Sequence, residues 1–170
     1  MSTVFFDIDT QMDFLYPAGA LYVPGAERIV PAVAALNRHA AAHGIPLIAT
    51  MDAHAENDPE FRSWPAHCVA GTLGQRKPAE TMVAARILEK RHVDCFTEPV
   101  LEQWLAELRP ARCVVYGVAT DICVFHAAQG LRQRGYAVEI VADAVRGLDT
   151  AKIAEMQRAF SFRTIAEATR

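Results

Sequence analysis

Short, almost uninterrupted apolar runs alternate along this chain with segments whose apolar residues recur every three to four positions. Residues 3–9 (TVFFDID) form the first run, the pattern of a strand buried on both faces. From about residue 26 to 43, Ile29, Val30, Val33, Ala34 and Leu36 recur at helical spacing, and Gly44 is a natural stop. Further strands are predicted at 46–52, 85–90, 113–116 and 137–141, with a short edge strand at 162–165. Helices are predicted at 99–108, where Val100, Leu101, Trp104, Leu105 and Leu108 share a stripe, from about Cys123 to Gly135, and at 150–160. Proline and glycine mark 10–24 and 53–80 as irregular, and a long irregular stretch inside a compact domain is usually functional. Strands alternating with helices predict one α/β domain: three α/β/α layers around a central, mainly parallel, Rossmann-like sheet with right-handed crossovers.

Composition narrows the function. The 170 residues suffice for one substantial core, and the formal net charge is −3 with no basic stripe, which argues against a nucleic-acid partner. No apolar run approaches the ~20 residues of a membrane span, and no basic segment with an apolar h-region opens the chain. Cys68, Cys95, Cys113 and Cys123 lack CxxC spacing, so free thiols and a cytoplasmic setting are expected.

In a parallel sheet, ligands bind beyond the carboxyl ends of the strands. Asp9, Asp52 and Lys90 end three predicted strands there, and Cys123 follows the fourth through Gly117-Val118-Ala119-Thr120. A thiol at a helix start ionises more easily than a free one, and its thiolate is a nucleophile whose oxyanion product the free N–H groups of that turn would receive. Asp9 would accept the thiol proton, and Lys90 would hold both charges in place. Asp52-x-His54, with His67 on the same irregular segment, suits a divalent metal with nitrogen and oxygen ligands: zinc, manganese or iron. Glu60 or Asp58 would complete the shell, and Cys68 is read as structural. Phe14, Trp64 and Phe96 are candidates to sandwich a flat substrate. His39, His43, His92 and His126 have no matched partners and read as surface or helix residues.

The blocks Ile8-Asp9-Thr10-Gln11-Met12-Asp13-Phe14, Asp52-Ala53-His54, Trp64-Pro65-Ala66-His67-Cys68, Lys90 and Gly117-Val118-Ala119-Thr120-Asp121-Ile122-Cys123-Val124 resemble the isochorismatase-like cysteine hydrolase superfamily, and within it most the nicotinamidases (pyrazinamidases). The resemblance spans nearly the whole chain. It implies Asp9, Lys90 and Cys123 as a catalytic triad, and a cis peptide at Val118–Ala119 that aims the N–H groups of Ala119 and Cys123 at the oxyanion. It also implies a metal, often zinc, on Asp52, His54, His67 and a fourth ligand, with Glu60 expected and Asp58 the fallback. Met12 stands where the family usually has Asn. The implied reaction converts nicotinamide and water to nicotinate and ammonia through a Cys123 thioester, in a self-associating protein. Rival readings are a metal-free hydrolase of a carbamoyl or ureido compound, a vinyl-ether hydrolase, and a catalytically silent binding module. A thiol-redox role is disfavoured because no resolving cysteine lies near Cys123.

Overall fold

The computed structural model describes residues 2–170. Six strands, β1 (Thr3–Ile8), β2 (Leu47–Asp52), β3 (Arg86–Lys90), β4 (Arg112–Val118), β5 (Ala137–Arg146) and β6 (Ser161–Arg163), form one sheet in the order β3-β2-β1-β4-β5-β6. All neighbouring pairs are parallel. The helices are α1 (Met12–Leu15), α2 (Val30–Ala42), α3 (Pro99–Leu108), α4 (Phe125–Gln133), α5 (Thr150–Ala159) and α6 (Ile165–Ala168).

The side-chain alternation of each strand sorts the apolar residues into two cores. On one face Phe5, Val114 and Tyr116 pack against Val33, Leu36 and Ala40 of α2 and Ala168 of α6. On the other, Val4, Phe6, Ile8 and Val115 pack against Leu101 and Leu105 of α3, Leu131 of α4 and Met156 of α5. The expected three-layer α/β/α architecture is present.

β2 and β3 lie to one side of β1, and β4 to β6 lie to the other. The order therefore reverses between β1 and β4, the switch point at which parallel sheets open a ligand crevice. Ile8 is in register with Gly117, and Asp52 with Lys90. Gly117 is obligatory at this approach: its φ is +120°, and a Cβ would lie 2.0 Å from the Ile8 carbonyl oxygen.

Several element bounds differ from the sequence expectation. β5 runs to Arg146 instead of ending near Val141, because its register on β4 shifts between Val115 and Gly117 and pairing resumes beyond. The expected edge strand at 162–165 is Ser161–Arg163, and Thr164 then caps α6 through a capping box with Glu167. The irregular stretches contain α1 and short 3₁₀ turns at Pro59–Arg62 and Ala79–Thr81.

Candidate active site

Three residues distant in sequence meet at the switch point. Asp9 follows β1 with φ +49°, and its Oδ1 accepts a hydrogen bond from the Thr50 hydroxyl at 2.5 Å. Lys90, at the end of β3, is buried, with its Nζ 2.8 Å from Asp9 Oδ2, 2.5 Å from Asp52 Oδ1 and 3.8 Å from Cys123 Sγ. One ammonium thus touches two carboxylates and the thiol.

The electrostatics follow from burial. Burial pushes the Asp9 carboxyl above its ordinary value, against the pull of Lys90. Burial likewise raises the Cys123 thiol well above the usual thiol range; Lys90 draws it down, while Asp9 and Asp52 push it up. Burial opposes the charge on Lys90, but Asp9, Cys123 and Asp52 outweigh it and hold the ammonium on. This corrects the expectation that a helix start would lower the thiol. The turn at Thr120–Val124 is π-helical, with Val124 N donating to Ala119 O, and burial outweighs the pull of Lys90 on the sulfur there.

The Val118–Ala119 peptide is cis. Val118, Ala119, Ile122 and Cys123 line a cleft of about 520 Å³, counted to its open mouth, that is almost wholly apolar. Phe14 and Trp64 also line it. Phe96 does not, and its expected substrate contact is corrected. It lies against Gly130 and beneath the Arg134 guanidinium, 3.8 Å from the ring centroid, while Val93 reaches the cleft from the same connection. Leu21, Tyr22, Val23 and Leu148 complete the wall and were missed from sequence. The apolar triplet Leu21-Tyr22-Val23 inside a predicted loop was the available signal.

Asp52 joins this centre to a second one. Its Oδ2 lies 3.7 Å from both His54 Nε2 and His67 Nε2, too far for hydrogen bonds. Two ligands of one tetrahedral ion, each ~2.1 Å from it, are separated by roughly 3.4 Å, so the spacing suits a shared cation. His67 Nδ1 lies 2.7 Å from the Pro65 carbonyl, which can only accept; the ring proton therefore sits on Nδ1 and leaves Nε2 as a donor to metal. Both ring nitrogens of buried His54 lack hydrogen-bond partners. Burial lowers the basicity of His54, but Asp52 and Asp58 outweigh it and raise it. The donor set therefore fits a divalent metal.

The fourth position divides between two carboxylates. Glu60 Oε2 lies 4.0 Å from His54 Nε2, on the side facing Asp52, and Glu60 lines the cleft. Asp58 Oδ2 lies 3.2 Å from Nδ1, behind the ring, and its Oδ1 accepts the Glu60 N–H. Gln11, to which sequence reading assigned no role, clamps Asp52 by accepting its N–H and donating to its carbonyl, both at 2.8 Å. Cys68 is fully buried among apolar side chains.

A thiol, a buried ammonium and a carboxylate thus meet at the switch point of a three-layer α/β/α parallel sheet. The Isochorismatase domain model matches residues 3–169, and the chain belongs to that family. It is 28% identical to the nicotinamidase of Escherichia coli, over 84% of this chain and 82% of that protein. It is 29% identical to the nicotinamidase/pyrazinamidase of Mycobacterium tuberculosis, over 83% and 84%. Among solved structures, the pyrazinamidase of Pyrococcus horikoshii in complex with zinc superposes with TM-score 0.88 at 28% identity, covering 96% of this chain and 99% of that one. N-carbamoylsarcosine amidase from Thermoplasma acidophilum gives 0.86 at 26%, with 97% of each chain covered. The chain is an isochorismatase-family hydrolase of amide C–N bonds.

Proposed function

We propose that this protein hydrolyses the carboxamide of a small neutral nitrogen heterocycle, nicotinamide first, to the carboxylate and ammonia through a thioester on Cys123. The supporting observation is the convergence of Lys90 and Asp9 on Cys123, which lines an apolar cleft together with Asp52, His67 and Glu60.

Asp9 takes the Cys123 proton as sulfur attacks the carboxamide carbon. Lys90 holds the carboxylate in place and balances the charge on sulfur. The backbone N–H groups of Ala119 and Cys123 receive the oxyanion. The C–N bond breaks as Asp9 returns the proton to nitrogen, and ammonia leaves. Asp9 then deprotonates water, which adds to the thioester and releases the acid and the free thiol. Asp52, His54 and His67, with Glu60 as the fourth ligand, would hold a divalent metal, zinc by the donor set and by the zinc complex of the Pyrococcus relative, supplying a Lewis-acidic point for the substrate's ring nitrogen. Phe14 and Trp64 flank the ring.

The Thermoplasma relative supports a second reading, a carbamoyl or ureido substrate. Among the described residues the cleft is lined by no Lys or Arg, and its charged groups are Asp52 and Glu60. A substrate carboxylate would find no cationic side chain there, which favours the neutral ring amide. The reading carries with it a cytoplasmic setting and self-association, the latter accessible to sedimentation.

Ammonia release from nicotinamide, pyrazinamide and N-carbamoylsarcosine, by wild type and by Cys123→Ala, tests the proposal. Turnover of the ring amides, abolished in the variant, is expected. Retained turnover in Cys123→Ala overturns the mechanism, and turnover of the carbamoyl compound alone overturns the substrate. Metal should copurify with wild type and be lost from His54→Ala and His67→Ala.

A further inference from the structure

Beneath the candidate active site, on the α2 side of β1, lies a second buried polar cluster that the reaction above does not use. Asp7 occupies a strand position whose neighbour on the same face, Phe5, is core. Its Oδ1 accepts from the Thr10 hydroxyl at 2.6 Å, and its Oδ2 accepts from Asn37 Nδ2 at 2.8 Å and lies 3.1 Å from Lys77 Nζ. Lys77 Nζ also donates to the Thr10 hydroxyl at 2.5 Å. Asn37 donates to the Thr81 carbonyl and accepts from the Tyr116 hydroxyl, each at 2.7 Å. Asp7, Thr10, Asn37, Lys77 and Tyr116 are all buried.

A buried ion pair is a poor source of stability compared with apolar packing, so its presence calls for a geometric reason. The segment leading to Lys77 is stapled along the turn that follows Asp9. Met12 N donates to Arg76 O at 2.8 Å, Asp13 N to Gly74 O at 3.0 Å, and Gln11 Nε2 to Gln75 O at 2.8 Å. Lys77 closes this series on Thr10, while Asp7 holds Thr10 from the strand side. Asp9 lies between these two anchors, in a left-handed conformation that non-glycine residues rarely adopt.

We infer that Lys77, through Asp7 and Thr10, is a positioning residue that holds the Asp9 turn, and with it the Asp9 carboxylate, in reach of Cys123. The inference rests on Asp9 acting as the base. Lys77 touches neither the cleft nor the thiol, and its effect passes through Thr10.

The test compares Lys77→Met, Asp7→Asn and the double variant with wild type, all as full-length, metal-loaded protein. Removing one partner of a buried pair leaves an uncompensated charge, whereas removing both leaves none, so the double variant should melt above Lys77→Met. Its kcat for nicotinamide should stay at least about tenfold down with KM within about twofold, because small displacements of a reacting group cost rate rather than affinity. Recovery of kcat together with melting temperature in the double variant would reduce the cluster to a structural role and overturn the inference. If Lys77→Met fails to fold, the double variant decides alone. If wild type turns over no amide, the proposed function fails separately. The inference is then judged by the pH profile of Cys123 alkylation with iodoacetamide: a profile altered in the double variant supports it, and one that coincides with wild type overturns it.

Discussion

Lys90→Met removes the cation on which both halves of the site converge while keeping most of the side-chain volume. In the wild type the ammonium lies 2.8 Å from Asp9 Oδ2 and 2.5 Å from Asp52 Oδ1, all three groups being buried. Taking one partner from a buried ion pair costs about 3–5 kcal/mol, because the charge left behind is uncompensated. For a domain of this size 1 kcal/mol moves the melting temperature by roughly 2–4 °C, so a fall of roughly 6–20 °C is expected near neutral pH. The pH dependence gives the sharper test. Lys90 draws both carboxyls down; burial already holds Asp9 above its ordinary value, and Asp52 is held well below it, with burial opposing and Lys90, His54 and His67 outweighing it. Without Lys90 both folded-state values rise. Groups whose folded pKa is raised bind more protons folded than unfolded, so the variant gains stability as pH falls through those values. The wild type, with Asp52 depressed, loses stability over the acid range. The gap between the two proteins should therefore narrow as pH falls, first through the variant's gain above the ordinary carboxylate value and then through the wild type's loss below it. Thermal melts in chelator, which removes any metal able to substitute for the missing charge, make the measurement. A gap below about 2 °C at neutral pH, or one unchanged with pH, refutes a shared buried cation as the organiser of the site.

Two further outcomes follow from the same geometry. Because Asp9 must be ionised to take the thiol proton and burial raises its pKa, the acid limb of kcat/KM should lie above the ordinary carboxylate value of 3.8; a limb at or below that value rejects Asp9 as the base. Iodoacetamide should give a single adduct on the folded protein, at Cys123, since Cys123 lines the cleft whereas Cys68, Cys95 and Cys113 are buried away from it; mass spectrometry showing a second adduct before unfolding contradicts that burial.

Periodicity carried the sheet and its main helices because the central strands β1, β2 and β4 are buried on both faces and each long helix on one. Val4, Phe5, Phe6, Ile8 and Cys113 to Tyr116 had to be apolar for packing alone, and sequence records packing directly. The second half of β5 escaped because Asp143 and Arg146 interrupt the apolar residues there and most of it is exposed, so it lacks the run that marks a doubly covered strand. Asp9, Asp52, Lys90 and Cys123 were legible because they end or follow readable strands, and the topology of a parallel sheet turns strand ends into neighbours. Phe96 was misplaced for the complementary reason. It lies only six positions past Lys90, but the chain turns away from the crevice to start α3, and closeness in sequence beyond a strand end says nothing about direction.

The groups that decide the chemistry most finely were the least legible. The choice between Glu60 and Asp58 turns on which nitrogen of one imidazole each carboxylate approaches, Nε2 at 4.0 Å or Nδ1 at 3.2 Å, and spacing in sequence cannot distinguish the two sides of a ring. The state of Cys123 turned on solvent. A helix start argues for a lowered thiol, but with the sulfur buried, desolvation outweighs the pull of Lys90. Asp7 shows the same limit from the opposite side. A lone carboxylate in an apolar strand announces a buried partner, yet nothing in sequence says that the partner is Lys77, seventy positions on, because that pairing exists only once the segment before Lys77 has been laid along the turn after Asp9. Charge placement in this protein is therefore a consequence of chain path, and a change that preserves every apolar residue while loosening the 74–77 segment should leave the fold intact and the site disordered.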